Sequence, residues 1–87
     1  MKTVHQPEYR ILIECLKDAR RNANLTQDEL AELLGMDQTH ISKIEIRERR
    51  IDVIELRKIC MALGLSLVDF IQMFEDKLLE HQQQAQE

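Results

Sequence analysis

The sequence predicts an all-α protein, a compact domain of five helices, and three observations carry that prediction. The hexapeptides Leu25-Thr26-Gln27-Asp28-Glu29-Leu30, Met36-Asp37-Gln38-Thr39-His40-Ile41, Ile51-Asp52-Val53-Ile54-Glu55-Leu56 and Leu65-Ser66-Leu67-Val68-Asp69-Phe70 each set a capping residue between two apolar ones at the spacing of a hydrophobic staple. One such hexapeptide arises by chance, but four at regular intervals mark four helix starts. Gly35 and Gly64 follow apolar runs at positions where a left-handed residue ends a helix. Residues 26–45 then read as two short amphipathic helices joined by a three-residue turn at Gly35, Met36 and Asp37, which is the layout of a helix-turn-helix.

The first helix is expected over residues 7–23. Pro7 suits a first turn, Asn24 tolerates the left-handed conformation that stops it, and Tyr9, Leu12, Ile13, Cys15, Leu16, Ala19 and Ala23 line its core side. The second spans 27–34, opened by the capping box Thr26/Glu29, with Leu30, Ala31, Leu33 and Leu34 as its apolar face. The third spans 38–45, capped by Asp37, with Ile41 and Ile44 turned inward at i, i+3 spacing. The fourth runs over 53–63 behind Asp52/Glu55, and the fifth over 67–81 behind Ser66/Asp69, both pairs resembling capping boxes. Residues 1–81 form one domain ending in a dimerisation helix. Residues 82–87 are a polar tail without an apolar period and are expected to fray.

The outward side of the third helix carries Gln38, Thr39, Ser42 and Lys43, side chains that hydrogen-bond base edges or phosphates. With Ile41 and Ile44 inward and 100° per residue, Thr39 and Lys43 point outward, Gln38 and Ser42 flank them, and His40 lies to one side. The net charge of −4 speaks against a nucleic-acid partner until its distribution is examined. Residues 1–50 hold nine basic and nine acidic side chains, and residues 51–87 hold three and seven, so the whole deficit is C-terminal. Lys43, Arg47, Arg49 and Arg50 cluster at and just beyond the end of the third helix, where they can meet phosphates.

Other classes find little support. Cys15 and Cys60 are isolated and fall on apolar helix faces, as buried inert thiols do, and they suggest neither a metal site nor a disulfide. His5, His40 and His81 are dispersed, and two glycines cannot build a phosphate-cradling loop, so neither an enzyme nor a cofactor is expected. The N-terminal residues lack an apolar signal region and the longest uncharged run is too short to span a bilayer, which points to a cytoplasmic protein without a membrane partner.

Arg20-Arg21, Leu25-Thr26-Gln27-Asp28-Glu29-Leu30-Ala31, Leu34-Gly35, Ile41-Ser42-Lys43-Ile44-Glu45, Arg49-Arg50-Ile51-Asp52, Glu55-Leu56 and Ala62-Leu63-Gly64 together resemble the Cro/C1-type (XRE) helix-turn-helix family of bacterial and phage regulators, over residues 9–70. The resemblance implies a lambda-repressor-like five-helix domain that binds double-stranded operator DNA as a homodimer, with the third helix in the major groove. Carried over by position, Gln27 contacts a phosphate and supports Gln38, while Gln38, Thr39 and Lys43 face bases. The resemblance also implies an ion pair between Arg20 and Glu45, a position between the apolar and reading faces where a carboxylate requires a partner. The sequence departs from the family after Glu45: Ile46 and Arg47 stand where a polar residue and glycine are usual.

On the fifth helix Leu67, Ile71, Phe74 and Leu78 form a stripe that closes a core, yet Phe70 and Met73 widen it on one side and Val68 and Leu79 on the other. That width predicts a dimer interface formed by Val68, Phe70, Met73 and Leu79. The function expected is therefore a transcriptional repressor binding a palindromic operator as a homodimer. The alternative is an antitoxin or controller subunit whose main task is binding a partner protein such as a toxin, with DNA binding for autoregulation.

Overall fold

The computed structural model describes the backbone of residues 7–86 and the side chains of residues 7–83; Lys2, His5 and Glu87 lie outside the described residues. Five helices follow in the order α1 (Pro7–Asn22), α2 (Gln27–Leu34), α3 (Gln38–Glu45), α4 (Val53–Ala62) and α5 (Leu67–Gln86), and the described residues contain no strand. The fold is all-α.

Local chemistry sets most of the boundaries. Asn24 adopts φ 60° and Gly35 φ 68°, so the chain leaves α1 and α2 through left-handed residues. The Met36 N–H reaches back to Ala31 C=O at 3.0 Å, closing the end of α2. Thr26 forms the full capping box: its hydroxyl accepts from Glu29 N–H at 3.1 Å and its own N–H donates to Glu29 Oε1 at 2.8 Å. Asp52 Oδ1 accepts from Glu55 N–H at 2.8 Å and Ser66 Oγ from Asp69 N–H at 3.0 Å. Asp37 departs from this grammar. It occupies the N-cap of α3 with extended backbone, yet its side chain makes no capping hydrogen bond.

The core is built by Ile11, Ile13, Cys15, Leu16 and Ala19 of α1, Leu30 and Ala31 of α2, Ile41 and Ile44 of α3, Leu56, Ile59 and Cys60 of α4, and Phe70 of α5. α2 packs on α3 and α4, α1 on α3 and α5, and α4 on α5. Burial pushes the Cys60 thiol from its ordinary 9.0 up to about 11. It raises the Cys15 thiol too, with Lys77 pulling back.

Two expectations about α5 are corrected. Phe70, assigned to the dimer interface, is wholly buried (0% exposed). The helix is wedged against both α1 and α4, so the arc it buries is wider than the single stripe anticipated and takes in Phe70 together with the half-buried Leu67, Ile71, Phe74 and Leu78. Residues 82–86 do not leave the helix, since α5 continues to Gln86. Val68 (77% exposed), Leu79 (55%) and Met73 (37%) do remain on the surface. No helix among the described residues is long and apolar enough to cross a membrane.

Candidate nucleic-acid interface

The candidate surface begins with a buried ion pair. Arg20, on the last turn of α1, and Glu45, the last residue of α3, have side chains only 10% and 4% exposed. Arg20 Nε donates to Glu45 Oε2 at 2.8 Å, Nη2 donates to Oε1 at 3.0 Å, and Nη1 donates to the Leu25 carbonyl at 2.8 Å. This fork-to-fork pairing satisfies two buried charges that would otherwise be strongly destabilising. Among the described residues no buried side-chain polar atom lacks a partner.

From that pair a chain of hydrogen bonds runs outward to the surface. Gln27 Nε2 donates to Glu45 Oε1 at 2.8 Å, and Gln38 Nε2 donates to Gln27 Oε1 at 2.7 Å. Because Gln27 opens α2 and Gln38 opens α3, the relay Arg20–Glu45–Gln27–Gln38 ties α1, α2 and α3 together and orients the exposed amide of Gln38. One Gln38 N–H is committed to Gln27. An amide nitrogen has a second N–H, which together with the amide oxygen forms the donor–acceptor pair that matches adenine N7 and N6. Thr39 and Lys43 are exposed on the same helix and Ser42 beside them is half-buried.

Beyond Glu45 the chain turns sharply. Ile46 caps α3 and is 53% exposed, and Arg47 takes φ 67°, a left-handed conformation that a Cβ disfavours. The basic cluster is split by this loop. Arg49 lines a cleft with Leu34, Met36, Asp52 and Lys58, between α2 and α4. Arg50 instead lies over the Tyr9 ring of α1, 4.3 Å from its centre, and the Tyr9 hydroxyl accepts from Ile51 N–H at 3.2 Å. The loop is thus braced on α1, a role of Tyr9 that its apolar position alone did not reveal. His40 Nε2 lies 2.7 Å from Glu55 Oε2 on α4, a contact that sequence reasoning overlooked because Glu55 was read as half of a capping box.

The arrangement has relatives. A helix-turn-helix family model matches residues 16–70, which span α2, α3 and α4 whole. The chain belongs to this helix-turn-helix family. This helix-turn-helix protein is 35% identical over 57 residues to control protein C.SmaI of Serratia marcescens, covering 66% of the chain and 68% of that relative. It superposes on an XRE-family like protein from Pseudomonas syringae pv. tomato str. DC3000 with a TM-score of 0.75 and 39% identity, over 79% of this chain and 84% of the other. The restriction-modification controller protein C.Esp1396I gives a TM-score of 0.81 at 28% identity, over 88% of this chain and all of that one. C.Esp1396I has also been solved as a tetramer in complex with its natural 35 base-pair operator, with a TM-score of 0.78.

Proposed function

We propose that this protein is a sequence-specific regulator of transcription that binds a palindromic operator as a homodimer, with α3 in the major groove. The observation that carries this reading is the Arg20–Glu45–Gln27–Gln38 relay, which holds an exposed amide in a fixed pose at the start of α3. A side chain that only needs solvent requires no such bracing, whereas a base reader gains specificity from it. Gln38, Thr39 and Lys43 then face bases. Gln27, Ser42, Arg47, Arg49 and Arg50 serve phosphates and set the register. The operator complex of the similar protein C.Esp1396I supports the DNA-binding reading.

On α5 the exposed Met73 lies on one flank of the buried stripe and Val68 and Leu79 on the other, and these apolar side chains are available to a second copy. A two-fold axis there would set two α3 helices in successive major grooves, about 34 Å apart. The decisive experiment is selection of bound duplexes from a random pool. A palindromic consensus is expected, with Gln38→Ala losing roughly 1–3 kcal/mol of preference at one base pair per half-site and Arg49→Ala weakening all duplexes alike. Recovery of no consensus by the unaltered protein would overturn the reading.

A further inference from the structure

α3 is eight residues long, too short to hold its own shape in water, so its pose depends on what grips it. Ile41 and Ile44 bury it against its neighbours, and Glu45 grips its last turn through Arg20 and Gln27. The backbones differ in how closely they approach. α3 lies against α1 and α2, while α4 packs on α2 and α5. A rotation of α3 about its own axis would swing Thr39 and Lys43 across the base edges, and a polar tie from its first turn to α4 would oppose it.

His40 and Glu55 make that tie. His40 stands in the first turn of α3, where the Asp37 side chain provides no cap, and its Nε2 lies 2.7 Å from Glu55 Oε2. A carboxylate oxygen accepts, so Nε2 is the donor. Both side chains are 23% exposed, which shields the contact from full solvent screening. Glu55 is itself well anchored, since its N–H is held by Asp52 Oδ1 at the start of α4. The sequence pattern would have turned its carboxylate back on the Asp52 N–H to complete a capping box; the carboxylate reaches across to α3 instead.

We infer that His40 and Glu55 are positioning residues that fix the rotational setting of α3, so that operator discrimination, more than overall DNA affinity, depends on their contact. The inference rests on the DNA-reading function proposed above. It assigns no base contact to His40, which lies about 100° round the helix from Thr39.

The test uses the full chain, the duplex that the unaltered protein selects, and the same duplex changed at the pair read by Gln38. The readout is the ratio of the two affinities, with an unrelated duplex measured alongside, at a temperature where thermal melts show each variant folded. Glu55→Asp keeps the charge in the first turn of α4 but withdraws it by one methylene. It should reduce the ratio about 3- to 30-fold while leaving the unrelated duplex unaffected. Glu55→Gln, which still reaches His40, should restore most of the ratio, and Glu55→Asp combined with His40→Ala should be no worse than the more severe single change. An unaltered ratio in Glu55→Asp, or an equal loss on all three duplexes, would overturn the inference while leaving the proposed function standing. Failure of the unaltered protein to prefer its selected duplex would overturn both.

Discussion

Arg47 holds φ 67° at the exit from α3, where glycine would be unstrained. Arg47→Gly should therefore stabilise the fold by about 1 kcal/mol, or about 4–8 °C in the melting midpoint of a domain this size, while weakening binding to all duplexes alike. A lower midpoint in that variant would show that the Arg47 side chain stabilises the loop by more than its backbone strain costs. The opposite sign is expected at Arg20. Removing one member of a buried pair leaves the other charge uncompensated, so Arg20→Ala should cost roughly 3–5 kcal/mol. It should also loosen Gln27 and Gln38, and a double-mutant cycle with Glu45→Ala would reveal the coupling. At this scale the sequence revealed long-range side-chain pairs only through family likeness. The Arg20–Glu45 pair and the support of Gln38 by Gln27 join residues 25 and 11 positions apart, beyond the reach of periodicity. His40–Glu55 had no such guide, because a Glu three residues after an Asp reads equally well as a capping partner.

Elements were far more legible, since a helix start is a local event. Thr26, Asp52 and Ser66 cap where their hexapeptides place them, and the starts of α2, α4 and α5 follow directly. The rotational setting of α5 was not legible. A helical wheel shows which residues share an arc but not how many neighbours cover it, and α5 is covered by two. The consequence is a divergent pair of substitutions. Met73→Asp falls on a surface position and should leave a folded monomer with much weaker operator binding, whereas Phe70→Asp places a charge in the core and should abolish folding. Sedimentation at micromolar concentration, with circular dichroism, separates the two outcomes. A Met73→Asp protein that still sediments at twice the chain mass would move the dimer interface elsewhere.

For the whole molecule, the buried thiols predict how stability depends on pH. Cys60 keeps its proton in the fold up to about 11 but releases it near 9.0 when exposed, so the unfolded state binds fewer protons between those values. Stability contributed by the protonated thiol is complete below pH 9.0 and declines as pH rises towards 11, with Cys15 acting in the same direction. Urea titrations at about pH 8 and about pH 10 should show this decline, and Cys60→Ala, although less stable at the outset, should show less of it. Equal slopes in both proteins would assign the alkaline loss to other groups.

The distribution of charge has a consequence for how such a regulator would search a chromosome. Its acidic excess lies entirely after residue 50, while Lys43, Arg47 and Arg49 are exposed at and beyond the end of α3. Most chance encounters with DNA would then be mildly repelled, and only those presenting the α3 face would linger. A genome offers on the order of 10⁶–10⁹ wrong sites, which act as a sponge for any regulator that clings to DNA indiscriminately. A molecule with a net negative charge and an acidic C-terminal part is absorbed less by that sponge, so a small number of copies would keep one operator occupied.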